Sequence, residues 1–293
     1  MNAKEQVYVA GRFVPSDEAR VSANDAGLLF GAGLFETLRT YGGRPFRLDR
    51  HLARLRASGQ VLRIFVGETD DRIAEIIAHL LQANGLADAR IRLTATRGPL
   101  EAELEDDAAP PATLIMAAGP MTPYPQAFYD NGATVVISDI RANETDPTVF
   151  HKTTGYLKNL LALRDAHRAR AAEALRFNTR NRLAEGAISN VFLVKDGRLF
   201  TPPVEEGLLP GVTRAAVLEL AVETGVPAEQ KPLTVQDLFD ADEVFLTNSI
   251  MELMPVTRIE QHEVGAGRPG PITRRLTEAY KALIARETGL KAR

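Results

Sequence analysis

His151-Lys152-Thr153-Thr154-Gly155-Tyr156-Leu157 places a lysine between a histidine and two small hydroxyl residues, just ahead of an amphipathic stretch. Lysine is ordinarily a hydrated point charge on a flexible stem. Held inside a site, its amine is desolvated, its pKa falls, and the lone pair becomes available for Schiff-base chemistry. A solvated helix-start lysine is the ordinary alternative, so the reading of Lys152 depends on what the rest of the chain supplies.

Downstream, Glu185 lies in Ala184-Glu185-Gly186-Ala187, at a bend between two strands. A carboxylate facing a pyridine nitrogen keeps that nitrogen protonated and the ring an electron sink. Gly211-Val212-Thr213 enters a helix and offers amides and a hydroxyl, the donors a phosphate requires. Thr247-Asn248-Ser249 closes a short apolar strand, a second place where polar donors converge. Upstream, Arg54 projects from a helix. Each group alone has an ordinary reading: a turn glutamate, a helix cap at Thr213, a surface arginine. Taken in order, they suit a phosphate-bearing heteroaromatic cofactor held by a lysine.

The surrounding pattern is mixed α and β. Val7 to Val14 alternates around Gly11 as a hairpin, and Leu34 to Tyr41 reads as a strand that Gly42-Gly43 turns towards Phe46-Arg47. Leu48 to Leu62 and Asp70 to Asn84 carry apolar residues at helical spacing, the second capped by Gly85. Ala89 to Thr96 and Thr113 to Met116 read as strands. Between them, Pro99 to Pro111 carries Glu101, Glu103, Glu105, Asp106 and Asp107, a solvated loop or lid whose spacing is not that of a calcium loop. The prolines of Gly119 to Pro125 mark a linker, giving an expected smaller domain 1–118, linker 119–126 and larger domain 127–293. That larger part is expected to hold a strand at Ala133 to Ser138, a helix from Leu157 to Ala171, and strands at Leu175 to Phe177, Ile188 to Lys195, Arg198 to Thr201 and Val244 to Leu246. Helices are expected at Thr213 to Thr224 and Arg274 to Glu287.

Composition narrows the function classes. The formal net charge of −3 gives no reason to expect nucleic acid, and with no cysteine there is no disulfide, thiolate nucleophile or Cys-ligated metal. The arginines at 164, 168, 170, 176, 180 and 182 alternate with Asp165 and Glu173 and lack an aromatic stacking platform, so they read as a solvated helix face. No apolar run approaches the roughly 20 residues that span a bilayer, and the N-terminus lacks a signal-peptide core. A cytoplasmic location is the expectation. The five histidines are scattered singly, without metal-ligand spacing, and no G-x-S-x-G elbow is present. Gly265-Ala266-Gly267-Arg268-Pro269-Gly270 fits G-x-G-x-x-G. A dinucleotide fold needs a further parallel strand after the next helix, so this is read as a glycine-rich turn.

F-G-A-G-L-F-E-T-L-R at 30–39, H-L-A-R-L at 51–55, R-I-R-L-T-A-T-R-G at 90–98 and H-K-T-T-G-Y-L at 151–157 form an ordered set. A-E-G-A-I-S-N-V-F at 184–192, L-L-P-G-V-T-R at 208–214 and E-V-F-L-T-N-S at 243–249 complete it. This set resembles the class IV aminotransferases, the fold-type IV pyridoxal phosphate enzymes, along nearly the whole chain. The resemblance implies two α/β domains (of α+β type) with pyridoxal 5′-phosphate between them, in a homodimer. It implies Lys152 as the Schiff-base lysine and proton shuttle, and Glu185 at the pyridine nitrogen. Arg54, Val212, Thr213 and Ser249 would hold the phosphate, with Tyr156 near the ring. Arg97, with Arg39 and Arg92, would clamp a substrate carboxylate. The implied reaction moves an amino group between a branched-chain or D-amino acid and a 2-oxo acid. Phe35-Glu36-Thr37 looks more like the aminodeoxychorismate lyases and mixed-specificity members, so a lyase releasing pyruvate is the runner-up. A cofactor-free binding protein on the same scaffold is the reading from another class.

Overall fold

The computed structural model describes residues 5–99 and 112–290. The acidic stretch expected as a loop or lid lies, beyond Pro99, outside the described residues. The chain divides into two compact units. Residues 5–99, 112–122, 151–155 and 286–290 belong to the first, and 123–150 and 156–285 to the second. The chain leaves the first unit after Thr122 and goes back to it for His151–Gly155, a return that a single boundary at 119–126 does not contain.

The first unit comprises β1 (Gln6–Val9), β2 (Arg12–Pro15), α1 (Ala26–Phe30), β3 (Gly33–Tyr41), β4 (Arg44–Pro45), α2 (Leu48–Leu62), α3 (Asp70–Ala83), β5 (Ala89–Thr96) and β6 (Thr113–Pro120). The strands form an antiparallel sheet ordered β2-β1-β6-β5-β3-β4. Successive residues of a strand face opposite sides. Leu34, Leu38, Ile91, Leu93, Leu114 and Met116 therefore share one face and pack against Leu52 and Leu55 of α2 and the Ile73-Ile76-Ile77-Leu80 stripe of α3. Each such side chain contributes roughly 1.5–3 kcal/mol by leaving water. Thr69 fixes the start of α3 by accepting the Arg72 N–H at 3.2 Å. β6 continues through Gly119 to Pro120, its last residue, which pairs with Ala89 of β5 beyond the stretch paired to β1.

The second unit comprises α4 (Gln126–Asp130), β7 (Ala133–Ile137), α5 (Leu157–Arg168), β8 (Glu173–Phe177), β9 (Leu183–Gly186), β10 (Asn190–Lys195), β11 (Arg198–Thr201), α6 (Val212–Glu223), β12 (Ala228–Gln230), α7 (Val235–Phe239), β13 (Glu243–Asn248), β14 (Glu252–Ile259), β15 (His262–Glu263) and α8 (Pro271–Thr288), whose last turn belongs to the first unit. The sheet is mixed, ordered β12-β11-β10-β13-β14-β7-β8-β9, with β15 on β14. α5 ends earlier than the expected Ala171 because Arg170 turns left-handed, with φ at 59°. The strand expected from Ile188 begins only at Asn190, and 187–189 form a turn after the separate strand β9.

One sheet face carries Leu175, Val191, Leu193, Val244, Leu246 and Met254 in a large apolar core. Small residues Ala162, Ala166, Ala174 and Ala187 let α5 lie close to the other face. No helix among the described residues is long and apolar enough to cross a membrane.

Candidate active site

In the first unit, residues 151–155 run alongside the start of β3, joined to it by an isolated antiparallel bridge. The Lys152 carbonyl accepts the Phe35 N–H at 2.8 Å, Leu34 bridges Thr153, and the Thr154 N–H donates to the Gly33 carbonyl at 2.8 Å. The Thr154 hydroxyl donates to the Gly31 carbonyl at 2.8 Å, and His151 Nδ1 meets the buried Ser58 hydroxyl of α2 at 3.0 Å. Both glycines are required here. A Cβ at Gly33 would lie 2.8 Å from Thr154 Oγ1, and Gly31 has φ 68°. Lys152 is thus fixed by its own backbone and its neighbours, with Nζ 4.4 Å from the centre of the Phe35 ring.

Strand alternation places Phe35, Thr37 and Arg39 on the sheet face opposite the α2–α3 core, across from Thr94, Arg92 and Arg90 of β5. The Arg92 guanidinium lies 3.4 Å from the centre of the same Phe35 ring, and its Nε donates to Thr94 Oγ1. Arg39 stacks over Tyr41 at 4.5 Å. Arg97 is buried just beyond β5, where its N–H donates to the Ala32 carbonyl. The preceding Thr96 donates to Asp25, which also caps Gly27 at 2.7 Å, so the Asn24-Asp25-Ala26-Gly27 turn is pinned to the end of β5.

On the core-facing side, Glu36 is a carboxylate among leucines. Its Oε1 accepts Arg54 Nε at 2.8 Å, and its Oε2 accepts Arg54 Nη2 at 2.6 Å and meets His51 Nδ1 at 2.7 Å. His51 and Arg54 are three apart on α2 and so share a helix face. Burial pushes the Glu36 pKa up, but the Arg54 charge and the hydrogen bonds of His51 and Arg54 outweigh it and hold it at about 2. Burial depresses the His51 pKa, and the Arg54 and Lys152 charges depress it further, against the pull of Glu36. Arg54 is therefore no loose surface charge. Glu36, a residue given no role from the sequence, holds it, and His51 bonds the same carboxylate.

In the second unit, Glu185 on β9 stands opposite Arg176, which is buried on β8 and so not part of the expected solvated helix face, and the Glu185 Oε2 accepts the Leu209 N–H at 3.0 Å. Asn190 donates to the Leu209 carbonyl at 2.9 Å, and a Cβ at Gly211 would collide with Asn190 Oδ1 at 2.0 Å. Glu185 and Asn190 thus fix the loop that leads into α6. That helix has no side-chain cap at Gly211, so its first amides are not taken by one, and Thr213 is buried in the first turn. Thr247 lies opposite Asn190, and its fully buried hydroxyl has no hydrogen-bond partner among the described residues. Asn248 shapes the following turn around Ser249: its Oδ1 accepts the N–H groups of Ile250 and Met251, each at 2.8 Å. The Tyr156 hydroxyl and the Asn159 amide both donate to the Ala187 carbonyl, at 3.2 and 2.6 Å.

The glycine-rich stretch 265–270 leads into α8. There the Glu243 carboxylate accepts the Ile272 and Thr273 N–H groups at 3.0 and 2.7 Å, and the Thr273 hydroxyl at 2.7 Å. A side chain already fills the place an anion would take at this helix.

The amino-transferase class IV family profile matches residues 33–259. The chain belongs to the class IV aminotransferases. A Methanocaldococcus jannaschii relative, provisionally named a branched-chain-amino-acid aminotransferase, is 36% identical over 276 residues, 94% of this chain and 95% of that one. A D-alanine aminotransferase of Staphylococcus haemolyticus is 31% identical over 280 residues, 95% of this chain and 98% of that one. The crystal structure of the Escherichia coli branched-chain amino acid aminotransferase superposes with a TM-score of 0.90 at 31% identity, covering 98% of this chain and 96% of that one.

Proposed function

We propose that the chain uses pyridoxal 5′-phosphate to move an amino group between a branched-chain or D-amino acid and a 2-oxo acid, as a cytoplasmic homodimer. The observation that carries this reading is the setting of Lys152. Backbone pairing of Lys152 with Phe35 and of Thr154 with Gly33 holds the segment, and the Lys152 Nζ stands 4.4 Å from the centre of the Phe35 ring.

The second unit's residues fit the cofactor. A carboxylate, an uncapped helix N-terminus with a buried threonine, and an orphaned buried hydroxyl are the groups a phosphorylated pyridine calls for. Glu185 would hold a proton on the ring nitrogen. The Val212 and Thr213 amides, Ser249 and Arg54 would take the phosphate, and Tyr156 would lie beside the ring. When bound, pyridoxal phosphate supplies the electron sink that makes an amino acid α-proton removable. Lys152 Nζ would hold the cofactor and would serve as the general base and acid for that proton. Arg97 would bind the substrate carboxylate, as would Arg92 and Arg39. Of those two, Arg92 shares the Phe35 ring with Lys152.

The test is a substrate panel on the loaded protein. L-leucine and D-alanine are offered separately with 2-oxoglutarate, and formation of the corresponding 2-oxo acid is followed. Turnover of one assigns handedness. Turnover of neither, together with pyruvate release from aminodeoxychorismate, would replace this reading with the lyase.

A further inference from the structure

We propose that Glu173, outside any direct cofactor role, is the positioning residue of the site: its carboxylate is the mould around which turn 186–189 folds, and through that turn it sets Tyr156 and Glu185. The inference rests on the reading that those two residues meet the cofactor.

Glu173 opens β8 and is fully buried. Its Oε1 accepts the Ala174 N–H at 2.9 Å and the Ala187 N–H at 3.1 Å. Its Oε2 accepts the Ile188 N–H at 3.1 Å and the Ser189 hydroxyl at 2.9 Å. Three of these four donors belong to the turn that directly follows Glu185 and Gly186. A buried charge without compensation is expelled or neutralised, and here the turn supplies the compensation. Burial pushes the Glu173 pKa up to about 7, against the downward pull of those hydrogen bonds.

The turn closes tightly on the carboxylate. The Gly186 N–H donates to the Ser189 carbonyl at 2.7 Å, and a Cβ at Gly186 would lie 2.2 Å from Ser189 Oγ and 3.1 Å from Glu173 Cδ. Its outer side is what the site uses. The Ala187 carbonyl receives Tyr156 and Asn159, and the Ile188 carbonyl receives Asn248 at 3.1 Å. One carboxylate thus binds the N–H groups of Ala187 and Ile188 on the inner side, while the carbonyls of the same two residues orient Tyr156 and the strand end next to Ser249.

Three of the four donors are backbone N–H groups, which cannot reverse. Glu173→Gln therefore sets its amide NH2 against at least one of them, and the turn must move. The test uses the full chain at about pH 8.5, where the wild-type carboxylate is charged. It compares wild type, Glu173→Gln, Tyr156→Phe and the double variant.

Two readouts are taken. Without cofactor, amide exchange at Ile188 should be at least about tenfold faster in Glu173→Gln, whereas the Ala187 N–H keeps its 2.9 Å bond to the Ala174 carbonyl. With cofactor, the variant should bind pyridoxal phosphate at least about tenfold more weakly, and Tyr156→Phe should cost less in the Glu173→Gln background than in wild type. If Glu173→Gln does not fold, Ser189→Ala takes its place in the same cycle. Unchanged exchange overturns the mould. Faster exchange with unchanged affinity, or strict additivity with Tyr156→Phe, overturns the positioning role. Wild-type protein that takes up no cofactor would fail the functional reading, while the exchange readout still decides the mould.

Discussion

The carboxylate of Glu36 and the guanidinium of Arg54 make two hydrogen bonds, at 2.6 and 2.8 Å, inside the helix-covered face of the first sheet. The pair joins β3, which pins the Lys152 segment, to α2, which carries the expected phosphate-binding arginine. Removing one member leaves the other buried and uncompensated, at a cost of about 3–5 kcal/mol. Glu36→Gln should lower the urea midpoint accordingly and weaken binding of pyridoxal phosphate. A variant as stable as wild type would show that the pair contributes nothing net.

The same pair gives a pH dependence. The Glu36 pKa is depressed from 4.5 to about 2 in the folded chain. The folded state therefore keeps the charge over a range where the unfolded chain has taken up a proton. The stabilisation, about 3 kcal/mol, is fully present above about pH 5 and is lost as pH falls towards 2. Urea midpoints measured from pH 6 downwards should fall more steeply in wild type than in Glu36→Gln. Parallel slopes would contradict the assignment.

Gly33 tests how Lys152 is held. A Cβ there would meet Thr154 Oγ1 at 2.8 Å and Thr154 Cγ2 at 3.1 Å, displacing the segment that carries the lysine. Misplacement of about 1 Å costs on the order of a hundredfold in rate. Gly33→Ala should lose about that in kcat with a melting temperature near wild type, and Gly33→Ala with Thr154→Ser should recover part of it.

Arg97→Gln and Arg92→Gln separate substrate from cofactor. A charge-assisted carboxylate contact contributes about 1.5–3 kcal/mol. Loss of the clamping arginine should therefore raise KM for the amino acid by about tenfold to a hundredfold, with pyridoxal phosphate affinity unchanged. Equal loss of both affinities would place that arginine at the phosphate instead.

How much of this was legible follows from how locally each feature is encoded. Leu48–Leu62 and Ala89–Thr96 were readable to the residue, because each carries its own period and its own stops. β14 was not, because Pro255 within Glu252–Ile259 and an uneven polar pattern hide a strand that only its neighbours β13 and β7 complete. Lys152 and Glu185 stood out by the motifs around them. Glu36 left a weaker signal: a carboxylate at a core-facing position of an alternating strand, followed by a histidine and an arginine three apart on the next helix. Glu173 left almost none, since its four donors come from its own neighbour and from a turn that is distant in sequence. The same distance hid the roles of Asn190 and Asn159, which act on backbone carbonyls 19 and 28 residues away.

The most direct test is the absorption spectrum of the protein loaded with pyridoxal phosphate, beside Lys152→Ala loaded in the same way. The account predicts a band near the visible edge in wild type that an amino donor removes and a 2-oxo acid restores, and no such band or turnover in Lys152→Ala. Turnover that survives in Lys152→Ala, or a wild-type protein that takes up no cofactor, would contradict it.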